Sequence, residues 1–226
     1  SSAFTIGLII ALKKFLNIKI TRSTIAKLAT YIEISKIKSP IGFQDQYQIA
    51  YGGLNRINFS KKRISTKNIK NSNKICSFLN SNTVCVYTNK KRQSKSVLYK
   101  QKENLKSDKK TKKHLQNIIK LVDPFYKALN SQNVELCGQI MDKYWILKKG
   151  LSNKVSNKSL DNMYIEAKKD GALGGKIIGA GNGGFFIFFV KEKIRDQFIS
   201  NFKKKYRILD CNFNNYMPEI IYNDKK

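Results

Sequence analysis

Apolar residues recur at helical spacing along much of the chain, broken by short β-like runs and by clusters of glycine. Ser1–Phe15 is apolar on every side, with charge only at Lys13 and Lys14, a pattern that predicts a buried helix. A second helix is expected to start at Ser23, whose hydroxyl can cap the first free amides. It would carry Ile25, Leu28, Ala29 and Ile32 on one face, with Glu33 among them. It should stop before Pro40, because the residue preceding a proline is driven out of helical geometry. Pro40–Gly42 then turns the chain into Phe43-Gln44-Asp45-Gln46, and Gly52-Gly53 closes that segment. Residues 56–64 and 82–88 read as strands with a polar, lysine-rich link between them. From about Ser107 the helical period returns, with Leu115, Ile118, Ile119, Val122 and Phe125 in one stripe and Val134–Leu147 in another. Ser159–Lys169 predicts a third helix here, ended by Asp170-Gly171, since glycine suits the left-handed position after a helix. A glycine-rich segment over 174–184, a buried strand Phe185–Val190, a helix Lys193–Lys205 and a strand region over 208–222 follow. Helices followed by strands in both halves predict an α+β fold, divided into 1–90 and 91–226 within the basic stretch around 90–110.

Composition narrows the classes of function. The chain has 226 residues, 41% hydrophobic and 11% aromatic, too apolar to be disordered in spite of a net charge of +29. That charge invites a nucleic-acid partner, but its make-up argues otherwise. There are 38 Lys and only 6 Arg, whereas bidentate recognition of bases and phosphates favours Arg. Ile (28) and Asn (22) are enriched alongside Lys, which reads as a bias across the whole chain rather than a designed patch. Residues 59–120 hold +16 of the excess, so the expectation is a solvated lysine surface mildly suited to anionic substrates. No apolar run approaches the ~18 residues of a membrane helix. Cysteines at 76, 85, 137 and 211 have neither metal spacing nor the density of a disulfide framework, so a reducing, cytoplasmic compartment is expected. A single histidine, His114, leaves no Ser-His-Asp triad or His-rich metal site to build.

Three segments could carry chemistry. Ser1-Ser2 heads a helix, where free N–H groups favour anions and hydroxyls can ligate Mg²⁺ beside a phosphate; Ser there is also an ordinary N-cap. Glu33 sits among isoleucines and needs a partner or cation if buried, while Asp45 lies between two glutamines just after a turn. Together the two carboxylates could hold Mg²⁺ and orient a hydroxyl, the parts that phosphoryl transfer uses; alternatively Glu33 faces solvent and Asp45 caps a helix. Third, six glycines between 174 and 184 can bring backbone amides close to an anion, or form a tight hairpin. The spacing is not that of a Walker loop.

Read together, these segments resemble the GHMP superfamily of sugar and mevalonate kinases. Ser1-Ser2-Ala3-Phe4 is similar to the end of the family's second motif, and Gly179-Ala180-Gly181-Asn182-Gly183-Gly184, with Lys176 before it, to the third. Ile178 stands where the family has Ser or Thr, and Asn182 where it usually has Gly. Within the superfamily the likeness is to the branch acting on heptose 7-phosphates. It is carried by Pro40–Asn55, by Trp145-Ile-Leu-Lys-Lys-Gly-Leu-Ser152 and by Gly171–Lys176. The chain starts inside the second motif, so a piece of a longer kinase is expected.

The resemblance implies two domains, the remainder of a ribosomal S5 domain 2-like N-terminal domain and a ferredoxin-like C-terminal domain. It implies transfer of phosphate from ATP to the anomeric hydroxyl of a heptose 7-phosphate. Ser2 and Glu33 would hold Mg²⁺, and Asp45 would be the catalytic carboxylate. Ser1, Ser2, Gly179, Ala180, Gly181, Gly183 and Gly184 would face the nucleotide. Gln44 and Tyr47 would contact sugar hydroxyls, and Arg92 and Lys149 the substrate's own phosphate. A GHMP kinase of galactose, fucose or mevalonate type, and a basic nucleic-acid-binding domain, are the alternatives.

Overall fold

The structure is a computed structural model and describes residues 2–60, 62–90 and 94–221. Its compact units are Ser1–Asn73 with Asn214–Lys226, and Lys74–Phe213.

The first unit is helical with one hairpin. Helix α1 (Ser2–Phe15) is followed by α2 (Arg22–Thr30), which runs directly into a π-helical segment, Tyr31–Lys36. Helix α3 (Gln44–Tyr51) and the antiparallel strands β1 (Asn55–Phe59) and β2 (Ile64–Asn68) follow. Thr21, not Ser23, caps α2: its hydroxyl accepts from Thr24 N–H at 3.1 Å, two residues before the expected start. Expected strand 56–64 is in fact a hairpin, because Ser60 and Arg63 close a turn through Ser60 N–H to Arg63 C=O at 3.1 Å. The core gathers Ile6, Ile9, Ile25, Ala26, Ala29, Tyr47 and Ala50. Helix α1 differs from its expectation of all-round burial. Ile6 and Ile9 are buried, whereas Phe4 and Phe15 are 77% and 85% exposed, since α1 packs on α2 and α3 along one face only. Gly52 meets the C-terminal segment closely: at φ +64, a Cβ there would lie 2.6 Å from the Met217 Cα, so no other residue fits.

The second unit is a sheet with helices inserted between its first and second strands. Helix α4 (Ser72–Asn82) leads into strand β3 (Thr83–Tyr87). Helices α5 (Ser94–Ser107), α6 (Lys109–Lys120), α7 (Val122–Asn130), α8 (Val134–Lys149) and α9 (Lys158–Lys169) come next. Strands β4 (Gly174–Ile177) and β5 (Phe185–Phe189), helix α10 (Glu192–Lys203) and strand β6 (Ile208–Leu209) end the described order. The strands lie in the order β4-β5-β3-β6, every pair antiparallel. In chain order that is the split βαβ arrangement of a ferredoxin-like sheet, the topology expected for this half. The boundary expected at 90/91 falls within this unit, because β3 pairs with β5 along its whole length and binds residues 83–87 to the second sheet.

The basic stretch from 94 is helical, and Leu121 divides the expected single stripe into α6 and α7. Helix α9 ends as its sequence indicates: Ala172 N–H reaches Ala167 C=O and Gly171 N–H reaches Lys168 C=O, at 2.9 and 3.2 Å, a Schellman closure. Among the described residues of the expected terminal strand region, only Ile208–Leu209 pairs. Phe186, Phe188, Phe198, Trp145, Leu160 and Met163 make up the heart of the core; Phe186 and Phe188 stack at 5.1 Å. Among the described residues no helix is long and apolar enough to cross a membrane.

Candidate active site

The first unit holds a buried carboxylate ringed by donors. Glu33 is 2% exposed, carried there by the π-helical segment, whose wider turn is closed by Ile37 N–H to Ile32 C=O at 2.9 Å. Segments of this kind recur at functional sites because they re-aim a side chain. Ser2 Oγ donates to Glu33 Oε2 at 2.7 Å and Thr5 Oγ1 to Oε1 at 3.2 Å; three residues apart on α1, the two hydroxyls share one helix face. Gln46 Nε2, from the first turn of α3, donates to Oε2 at 2.5 Å. Ser2 and Glu33 are thus together. Thr5 and Gln46 join them, and sequence reasoning had named neither. Gln46 was detectable: it stands four residues before Ala50, on the face of α3 that carries Tyr47 into the core.

Asp45 and Gln44 lie on the exposed side of the same first turn, one residue from the side chain that binds Glu33. Tyr47 is placed otherwise. At 4% exposure it packs edge-on against Phe59, with ring centroids 6.1 Å apart. Burial, with the charge of Tyr51 adding, raises its hydroxyl above the ordinary tyrosine range. Ser1 and Arg92 lie outside the described residues.

In the second unit the glycine segment is the loop of the β4–β5 hairpin, closed by Ile178 N–H to Phe185 C=O at 2.8 Å. Gly179, Gly181, Gly183 and Gly184 all have positive φ, as does Asn182 at +61°, a conformation that Asn tolerates better than most residues. Gly181, at φ +118°, passes so close to Val155 that a Cβ would lie 2.6 Å from its carbonyl oxygen. Two amides of the loop are engaged: Asn182 N–H with Val155 C=O at 2.7 Å and Gly184 N–H with Lys90 C=O at 3.0 Å. Those of Gly179, Ala180, Gly181 and Gly183 make no hydrogen bond among the described residues, which leaves a nest of donors of the kind that takes an anion.

What holds the loop is Lys148, on the buried face of α8 three residues after Trp145. It is 6% exposed, and its ammonium donates to the carbonyl oxygens of Ile177, at 3.4 Å, and Gly179. Carbonyls are drawn toward the lysine. The ammonium also lies 5.7 Å from the Tyr144 ring centre, and that of Lys176 lies 4.6 Å from the same ring. Burial raises the Tyr144 hydroxyl above its usual range, so the ring stays neutral between the two cations. Sequence reasoning had singled out Lys149 instead. Lys149 forms an ion pair with Asp161 at 3.0 Å and lies 5.8 Å from the Trp145 ring centre. The heptad spacing Gly138, Met141, Trp145, Lys148 was the signal that put Lys148 on the inward face.

Two family profiles match the chain. The GHMP kinases N terminal domain covers residues 1–53 and the GHMP kinases C terminal domain residues 125–208. The chain belongs to the GHMP kinase family. It is 34% identical over 209 residues to the D-glycero-alpha-D-manno-heptose 7-phosphate kinase of Campylobacter jejuni, across 91% of this chain and 60% of that protein. A galactokinase of Clostridium perfringens is 38% identical over 82 residues, 36% of this chain and 21% of that one. Among solved structures, a candidate sugar kinase from Campylobacter jejuni superimposes with a TM-score of 0.72 at 31% identity, over 96% of this chain and 62% of that chain. The mevalonate kinase of Methanococcus jannaschii does so with a TM-score of 0.69 at 26% identity, over 93% and 62%. The chain therefore spans about 60% of the length of the heptose 7-phosphate kinase it matches.

Proposed function

We propose that the protein is an ATP-dependent sugar-phosphate kinase that phosphorylates the anomeric hydroxyl of a heptose 7-phosphate. The observation that carries this reading is the Ser2–Glu33–Gln46 cluster: one buried carboxylate with a hydroxyl on each oxygen. Its donors are hard oxygens, and a single carboxylate beside hydroxyls suits Mg²⁺, which takes its remaining ligands from phosphates and water. Ser2 and Glu33 would hold the ion. Bound there, Mg²⁺ would neutralise charge on the nucleotide's phosphates. Turning the Ser2 hydroxyl proton away from Glu33 frees one oxygen of each for this, while Gln46 keeps its hydrogen bond and fixes the carboxylate plane.

Asp45 is exposed at the first turn of α3 and would accept or orient the proton of the attacking sugar hydroxyl, with Gln44 beside it on the sugar. The amides of Gly179, Ala180, Gly181 and Gly183 would donate to phosphate oxygens, in a loop that Lys148 holds open. Lys149, ion-paired to Asp161, and Arg92 are assigned to the substrate's 7-phosphate. Similarity to the Campylobacter heptose kinase across 91% of the chain supports the choice of acceptor. All four cysteines are free, which fits work in the cytoplasm.

The test is an acceptor screen with ATP and Mg²⁺, on the protein at the length of its relatives, using heptose 7-phosphate, galactose, fucose and mevalonate. ADP release should require the heptose 7-phosphate. Asp45→Asn should lower kcat about 10²–10⁴-fold, the range of a positioned proton acceptor, with little change in nucleotide binding. Turnover on another acceptor alone would overturn the substrate, and an unchanged kcat the role of Asp45.

A further inference from the structure

The kinase reading leaves one pair of nucleophiles unused. Cys85, 4% exposed, lies in β3, and Cys211 lies exposed just past β6. Cys85 faces Leu209 across the β3–β6 ladder, so Cys211, two residues further on, stands at the diagonal position on the same face. Pairing stops after Leu209, and the chain is caught again at once. Asn80, at the end of α4, donates from Nδ2 to Asn212 Oδ1 at 2.8 Å and to Phe213 C=O at 3.1 Å, and its Oδ1 accepts from Phe213 N–H at 2.7 Å. Cys211 is therefore held between two fixed points, with its thiol close enough to that of Cys85 for the two to interact.

We propose that Cys85 and Cys211 form an oxidisable dithiol, a modification site at which a hydroperoxide closes a disulfide between the central strand and the end of β6. The exposed member reacts first. Burial, with the nearby Cys211 thiol adding, pushes the Cys85 thiol up to about 12, so Cys85 is a poor first nucleophile. The Cys211 thiolate attacks one peroxide oxygen; a sulfur–oxygen bond forms, the oxygen–oxygen bond breaks, and alcohol or water leaves. Cys85 then loses its proton and attacks the Cys211 sulfenic sulfur. A disulfide forms, the sulfur–oxygen bond breaks, and water leaves. The two thiols give up two electrons and the hydroperoxide takes two. Cys76 and Cys137 are buried, and burial alone raises both thiols, that of Cys137 to about 12.

The folded protein is treated with hydrogen peroxide, unfolded in N-ethylmaleimide and digested for mass spectrometry. A cross-linked peptide joining Cys85 to Cys211, lighter by two hydrogens, is expected, with Cys76 and Cys137 alkylated. Cys211→Ser, an exposed change that leaves the core intact, should abolish the cross-link and leave Cys85 alkylated. In Cys85→Ala, Cys211 should stop at a sulfenic acid that dimedone traps. Full alkylation of Cys85 in the oxidised wild-type protein, a cross-link to Cys76 or Cys137, or a Cys211–Cys211 dimer in place of the internal bridge would each overturn the proposal.

Discussion

Glu33→Ala, read against Gln46→Leu, measures how much the buried carboxylate cluster is one unit. In the wild type the Gln46 side chain is fully buried, its Nε2 bound to Glu33 and its Oε1 without a partner among the described residues. Removing the carboxylate leaves the Gln46 amide and the Ser2 hydroxyl, itself 5% exposed, as buried donors without their acceptor. Each such donor costs about 1–3 kcal/mol, so Glu33→Ala should destabilise by roughly 2–6 kcal/mol. Gln46→Leu removes the donor together with the orphaned Oε1 at nearly the same volume. In that background Glu33→Ala leaves the Ser2 hydroxyl as the remaining buried donor, the Thr5 hydroxyl being half-buried, and its cost should fall to about 1–3 kcal/mol. The coupling between the two changes is then about 1–3 kcal/mol. Urea unfolding of the four proteins, followed by circular dichroism, gives the cycle. Additivity within about 0.5 kcal/mol, as independent sites show, would refute the reasoning.

Two further expectations concern the second unit. Lys148→Met removes the donor shared by the Ile177 and Gly179 carbonyls. Losing one charge-assisted bond, about 1.5–3 kcal/mol, should speed hydrogen exchange at the bonded loop amides of Ile178, Asn182 and Gly184 by roughly tenfold or more; unchanged protection would show that the loop holds itself. The other concerns pH. Asp108 caps α6, its carboxylate accepting from the Thr111 hydroxyl and from the Lys110 and Thr111 amides, and these bonds hold its carboxyl below the ordinary aspartate range. A carboxyl more acidic folded than unfolded adds stability above the unfolded value, about 3.9, and loses it as pH falls through the folded one. The melting temperatures of wild type and Asp108→Asn should therefore differ at neutral pH and converge in acid, whereas parallel curves would count against the cap.

Much of the architecture was legible because local rules and tertiary packing agree. The Schellman end of α9, strand β3 and strand β5 after the glycine loop follow from glycine placement and continuous β-branched or aromatic runs, whereas β4, Gly-Gly-Lys-Ile, lay inside the glycine-rich segment. The hairpin at 55–68 was not legible, because β1 and β2 are polar and their pairing rests on cross-strand partners distant in no simple pattern. Neither was α5, since lysine-rich sequence is compatible with helix and with link alike, and Val97, buried with 0% exposure, is its one strong anchor.

The sequence by itself determined the family's motifs, because residue type and spacing carry those, and the ferredoxin-like half and the pairing of Ser2 with Glu33 came as what the resemblance implies. Tertiary structure decided which neighbours complete them. Gln46 closes the carboxylate cluster from another helix. Lys148 rather than Lys149 reaches the glycine loop, since one step along α8 turns a side chain by about 100°, and only the packed partner shows which lysine points inward. Tyr47 went to the core for the same reason. Thirty-eight lysines look alike in sequence, and among the described residues burial sets Lys148 apart.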